Sequence, residues 1–196
     1  NNFDGINVDF EYQGDPTVML SEKVNIFLNK LKQENLGEIS LDVFANTIIK
    51  GSTEQISALM NSIDNLIVMA YDFHRPGVDY AGSVAPINSV IGDRNIMEIV
   101  GKILNINLDK KKITMAYPLY GYEWKTYTKD FESQIKRGWY QMASWQRTKE
   151  LIDGQTQGSA LTSNFDELSM TPWLTFEEDG EIHQIYYENE KSLKIK

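Results

Sequence analysis

Near the start of the chain, Asp4-Gly5-Ile6-Asn7-Val8-Asp9-Phe10-Glu11 places an amide and two carboxylates at alternate positions. Alternate side chains of an extended strand share a face, so Asn7, Asp9 and Glu11 point one way and Ile6, Val8 and Phe10 the other. At a rise of about 3.3 Å per residue, Asp9 and Glu11 stand about 6–7 Å apart. Two carboxylates at that spacing cannot both ionise freely in a low-dielectric site, so the pair keeps a proton available for general acid chemistry at neutral pH. Spacing alone fits an edge strand with its polar face in water equally well.

The elements that would have to position these groups argue for the interior. Phe3 to Tyr12 reads as a strand, and a helical segment from about Thr17 to Gln33 follows with Leu20, Val24, Phe27, Leu28 and Leu31 at helical spacing. Ile39 to Ala45 reads as a second strand, Gln55 to Ile63 as a short helix, and Asn65 to Asp72 as a third strand whose near-continuous apolar run suits burial on both faces. Pro76, Gly77, Gly82 and Pro86 mark Arg75 to Asn88 as a loop, ahead of a helix over Arg94–Leu104 and a fourth strand over Lys112–Tyr117. Strand and helix in alternation predict parallel βαβ units, and an α/β barrel gathers the polar ends of such strands at its C-terminal mouth. Beyond Trp124 the periodicity changes. An aromatic, turn-rich stretch holds a helix at Ser144–Ile152, a strand at Trp173–Phe176, the turn Glu178-Asp179-Gly180 and a strand at Glu181–Tyr187, a hairpin signal.

Composition narrows the chemistry. The 196 residues carry 19 Lys+Arg and 28 Asp+Glu, a formal charge of −9, and 41% of them are hydrophobic. The balance is that of a folded acidic domain, and a surface of this sign repels phosphate backbones, which argues against nucleic acid. No run reaches the roughly 18–20 apolar residues of a membrane span, and Asn1-Asn2-Phe3-Asp4 lacks the basic and apolar regions of a signal peptide. With no Cys there is no thiol nucleophile, disulfide or zinc-thiolate site, and the two histidines, His74 and His183, lack metal-ligand spacing. Carboxylate, phenol, amide and indole remain.

The acidic strand resembles the signature of family 18 glycoside hydrolases, Asp-x-x-Asp-x-Asp-x-Glu on the fourth strand of a (β/α)8 barrel, through Asp4, Asn7, Asp9 and Glu11. Asn7 stands where that pattern has Asp. A similar Asn-x-Asp-x-Glu variant marks the branch resembling bacterial spore-cortex and peptidoglycan N-acetylglucosaminidases. Met69-Ala70-Tyr71-Asp72 looks like the family's Met-x-Tyr-Asp at strand six, and Pro118-Leu119-Tyr120-Gly121 like its Pro-x-Tyr-Gly at strand seven. Pro172 to Phe176 and His183 to Asn189 resemble the small α+β insertion of that bacterial branch and the helix after it.

The resemblance implies a partial barrel of about strands four to seven, since a complete one needs about 250 residues. Its expected divisions are 1–124 as half of the catalytic barrel, 125–188 as the insertion and 189–196 as the start of the next barrel helix. Strands one to three and eight are not found, so the chain reads as a fragment of a longer enzyme, or else as half a barrel completed by a homodimer through its exposed sheet edges. The implied reaction is retaining, substrate-assisted hydrolysis of β-1,4 bonds beside N-acetylglucosamine in peptidoglycan or chitin. Glu11 would be the acid and then the base. Asp9 would share its proton and turn to the acetamido N–H, while Tyr71 and Asp72 bind the acetamido group. Asn7 would hydrogen-bond Asp9 from below, leaving Asp9 without a like-charged neighbour there.

Tyr120 is either a sugar contact or a core tyrosine, Trp124 a stacking platform or a cover over the insertion, and His74 a cleft residue or a hydrogen-bonded loop histidine. Trp139, Trp145 and Trp173 are expected in the core of the insertion. The branch implies an extracytoplasmic protein, secreted or associated with wall or spore. A non-catalytic glycan-binding module is the competing function, and an unrelated α/β domain with a coincidental acidic strand a third.

Overall fold

The computed structural model describes residues 3–12, 14–89, 94–154 and 161–196, so Asn1 and Asn2 lie outside it. The chain forms two compact units, 1–70 with 97–116 and 71–96 with 117–196.

The first unit is built on four parallel strands in sequential order, β1 (Gly5–Asp9), β2 (Glu38–Phe44), β3 (Asn65–Met69) and β4 (Ile113–Ala116). Parallel neighbours require crossovers, and helices supply them. A 3₁₀ turn at Pro16–Leu20 and α1 (Glu22–Gln33) link β1 to β2, α2 (Ala45–Lys50) and α3 (Thr53–Ser62) link β2 to β3, and α4 (Ile96–Asn105) precedes β4. The long helix expected over Thr17–Gln33 is thus two elements, because Asp15 and Pro16 start a tight turn that ends at Ser21. α2 was not predicted from its short, polar sequence. Ser52 and Gln55 close a capping box that opens α3.

The two faces of this sheet differ as alternation demands. Val8, Ile39, Leu41, Val43, Leu66 and Val68 are buried, as are Leu28 of α1, Ile56 and Leu59 of α3 and Ile99 of α4. The opposite face carries Asn7 and Asp9 from β1, Ser40 and Asp42 from β2, Asn65 from β3 and Thr114 from β4, aligned by register. β1 ends at Asp9, so Phe10 and Glu11 follow the strand rather than extend it, and Phe10 is 48% exposed instead of buried.

The second unit is a five-stranded antiparallel sheet ordered β6-β5-β9-β8-β7, from β5 (Tyr120–Thr126), β6 (Ile135–Ser144), β7 (Thr162–Asp166), β8 (Thr171–Glu178) and β9 (Glu181–Tyr186). β6 and β7 were missed in the sequence, where polar, aromatic and Gly-containing stretches hide the alternation. β8 and β9 turn at Asp179 and Gly180, both at positive φ, the geometry a two-residue hairpin prefers. α5 (Trp145–Asp153) lies after β6, and α6 (Glu190–Ile195) closes the chain with its own capping box at Asn189 and Ser192.

The 71–96 segment joins this sheet rather than the parallel one. Ala81 N–H donates to Ser133 C=O at 3.0 Å, Ile135 N–H to Asp79 C=O at 2.9 Å, and the Ser83 and Thr171 hydroxyls meet at 2.6 Å. Compactness therefore divides the chain differently from the expected boundary at 124/125: β5 pairs with β6 and β9 and takes residues 117–124 with it. No helix among the described residues is long and apolar enough to cross a membrane.

Candidate active site

In the first unit, Asn7 and Asp9 stand on the polar face of β1, and Glu11 lies two residues past the strand end; all three are exposed. A hydrogen-bonded polar row runs beneath. The Ser40 hydroxyl donates to Asn7 Oδ1 at 2.6 Å, and the Thr114 hydroxyl donates to Asn65 Oδ1 at 3.2 Å. The Asn7 amide nitrogen donates to Asp42 Oδ2 at 3.2 Å, so its side chain serves β2 rather than reaching up to Asp9 as expected. The reason is register: Ser40 is the β2 partner of Asn7, and Asp42 is the partner of Asp9. Asp42 was missed in the sequence because a single acid in Ser40-Leu41-Asp42-Val43 carries no motif. Burial pushes its carboxyl above the usual value and the charge of Asp9 adds to this, with the Asn7 hydrogen bond opposing both.

In the second unit, Asp72 is held with φ of 59°, a left-handed conformation that costs a non-glycine residue about 1 kcal/mol or more. That turn sets its Oδ1 to accept from the Tyr120 hydroxyl at 2.7 Å and from the Tyr122 hydroxyl at 3.4 Å. The rings pack edge to face, Tyr71 on Tyr120 at 6.3 Å and Tyr120 on Tyr122 at 5.7 Å. Burial first, and then the Asp72 hydrogen bond and charge, drive the Tyr120 phenol far above its usual range, so it stays a donor. Tyr122 shifts the same way through burial and the charge of Asp72. Tyr71, Asp72 and Tyr120 thus come together, joined by Tyr122, which alternation along β5 places on the same face but which sequence reading passed over.

Trp124 continues that face and is 1% exposed, packed with Ala81, Val84, Ile135, Trp173 and Tyr186. Its ring is core and offers no open stacking platform, although it also helps wall a cavity of about 370 Å³ between the 76–79 loop and the start of β6. His74 is 6% exposed, its Nδ1 lies 2.9 Å from Ser83 C=O, and its ring fills the space beside Gly82. The loop-histidine alternative describes that environment, and a cleft contact does not. Of the remaining indoles Trp173 is buried, Trp139 half-buried and Trp145, opening α5, 52% exposed, because its helix turns Leu151 and Ile152 to the sheet instead.

One group among the described residues brings metal-ligand types together, Glu123, Glu178 and His183. The Arg147 guanidinium already bonds both carboxylates, at 3.3 Å to Glu123 and 3.4 Å to Glu178, so the positive charge a cation would bring is supplied by the chain.

The first unit carries carboxylates along the polar face of a parallel α/β sheet, and the second holds an aspartate bracketed by tyrosine hydroxyls. The chain belongs to the glycosyl hydrolases family 18, whose model matches residues 1–196. It is 22% identical to di-N-acetylchitobiase of Rattus norvegicus, a match covering 98% of this chain and 56% of that protein. Its fold is similar to an Ostrinia furnacalis Group IV chitinase crystallised with allosamidin, with a TM-score of 0.79 and 18% identity over 99% of this chain and 57% of that one. A putative sporulation-specific glycosylase from Bacillus subtilis superposes with a TM-score of 0.68 at 19% identity, covering 98% and 60%. The chain thus spans a little over half the length of these relatives, which have the (β/α)8 barrel-type fold of the family.

Proposed function

We propose that this chain is the catalytic portion of a retaining β-N-acetylglucosaminidase or chitinase, which hydrolyses β-1,4 bonds next to N-acetylglucosamine in chitin-like chains or peptidoglycan. The observation that carries the reading is the Asp4–Glu11 segment, an acidic strand face followed two residues past its C-terminal end by Glu11, in a chain matched throughout by the family model. The chitobiase and chitinase relatives support a chitin-like substrate, and the peptidoglycan alternative rests on the Asn7-x-Asp9-x-Glu11 variant of the motif. The chain spans a little over half of those proteins, which supports a longer parent enzyme containing the rest of a barrel.

Substrate-assisted retention needs one acid and several positioners, because the nucleophile is the acetamido oxygen of the sugar itself. Glu11 delivers a proton to the glycosidic oxygen and then takes one from the incoming water. Asp9 accepts the acetamido N–H as positive charge builds on the oxazolinium. Tyr71 and Asp72 restrain the acetamido group, with Asp72 held in place by Tyr120. Polar donors and acceptors supply every step, and none requires a metal or organic cofactor.

The test is mass spectrometry of products after incubation with N-acetylglucosamine oligomers and, in parallel, with purified peptidoglycan strands. Products ending in reducing N-acetylglucosamine are expected, and the polymer that yields them names the substrate. Glu11→Gln is expected to abolish turnover while retaining oligomer binding; full activity in that variant ends the proposal. Binding without turnover in the unaltered chain would instead favour a glycan-binding module.

A further inference from the structure

The polar face of the parallel sheet holds carboxylates that the reaction scheme does not use, Glu38 and Asp42 of β2. Asp42 is the register partner of Asp9 on the neighbouring parallel strand, so the two side chains rise from backbones about 4.8 Å apart and on one face. Its two oxygens are treated unequally. Oδ2 accepts the Asn7 amide, itself held by the Ser40 hydroxyl, whereas Oδ1 is buried and accepts no hydrogen bond among the described residues. A buried carboxylate oxygen with no donor is costly when charged and cheap when it bears a proton.

We propose that Asp42 is a positioning residue for Asp9, forming with it a carboxylate pair that shares one proton across β1 and β2, with Asn7 as the amide that orients Asp42. The pair places on β2 the second acid that Asn7 withholds from β1. When Asp9 needs a proton, one passes from Asp42 to Asp9: the O–H bond on Asp42 breaks, one forms on Asp9, and the pair keeps a total charge of −1. Asp42 is then left as a carboxylate steadied by the Asn7 N–H. Burial and the facing charge of Asp9 both favour the protonated form of Asp42 at rest. Asp9 is the titratable group facing Asp42 from β1, and β3 offers the uncharged Asn65, Ile67 and Met69 on that face.

The pairing stands on geometry alone; its part in turnover rests on the hydrolase reading. The test separates the two. Carboxyl ¹³C NMR titration of the full chain is run for wild type, Asp9→Asn and Asp42→Asn. Removing Asp9 is expected to lower the Asp42 midpoint, because the facing charge of Asp9 helps to hold it up. An Asp42 midpoint that moves by less than about 0.2 unit in Asp9→Asn overturns the pair.

The second readout is the pH dependence of kcat/KM on N-acetylglucosamine oligomers. Asp42→Asn is expected to move the acid limb down by about one unit, and the double variant Asn7→Asp/Asp42→Asn, which returns the acid to β1, to bring it back. A double variant indistinguishable from Asp42→Asn refutes the exchange of places. If the wild type cleaves nothing, the NMR titration decides the pair by itself.

Discussion

Replacing Glu123 by Ala tests whether the strand that carries Tyr120 and Tyr122 is anchored from its other face. Glu123 is fully buried. It accepts from His183 Nδ1 at 2.7 Å, from Gln141 Nε2 at 2.6 Å and from Arg147 Nε at 3.3 Å, while Trp139 and Phe176 enclose the His183 ring at 4.9 and 5.1 Å. Breaking a buried ion pair by removing one partner costs about 3–5 kcal/mol. Arg147 keeps Glu178 as a partner and Gln141 is half-buried, so both recover part of the loss, whereas buried His183 does not. The expected cost is about 2–4 kcal/mol, or about 4–16 °C in Tm for a chain of this size.

The assay is thermal unfolding followed by tryptophan fluorescence at pH 7, with Glu123→Gln as companion. Gln keeps an oxygen for His183 and is expected to lose about half as much. Burial pushes the Glu123 carboxyl up, but hydrogen bonds from His183, Arg147 and Gln141 outweigh it and hold the group below its usual value. A depressed folded-state value stabilises the protein above the unfolded value, and that stability is lost as pH falls through the folded one. The gap between wild type and Glu123→Gln therefore closes as pH drops below the ordinary glutamate range. A Tm for Glu123→Ala within about 2 °C of wild type, or a gap that persists at low pH, refutes the reasoning.

Three further outcomes follow from the geometry. Tyr120→Phe removes the 2.7 Å donor to Asp72, a charge-assisted bond worth about 1.5–3 kcal/mol, so kcat/KM on N-acetylglucosamine oligomers is expected to fall about 10- to 100-fold, with a smaller effect for Tyr122→Phe at 3.4 Å; equal effects would contradict the assignment. Gly121→Ala would set a Cβ 1.8 Å from the Tyr186 carbonyl oxygen, so the β5–β9 pairing is expected to be lost, read as collapse of the near-UV circular dichroism. Edge strands β1 and β4 each have one sheet partner among the described residues; if a second copy completes the sheet, light scattering gives a dimer, and a folded monomer refutes that arrangement.

Much of this was legible in the chain because the signals were periodic. Alternation in Ile6–Asp9 and the near-continuous apolar run of Asn65–Met69, with helical spacing between strands, predict parallel strands that the structure contains. β6 was illegible because residue type does not follow exposure along it: Tyr140 and Met142 face solvent while Gln141 is half-buried. Residue type along one strand determined that Asn7 and Asp9 share a polar face, whereas Glu11, expected on the same strand, follows its end. Register between strands decided the rest. It set Asp42 opposite Asp9, gave the Asn7 amide to Asp42, and enclosed Trp124 and His74 where their types allowed either an exposed or a buried place. Local periodicity is a property of neighbouring residues, which the chain states outright, whereas pairing across 35 positions depends on how the crossovers close, and only the folded molecule expresses it.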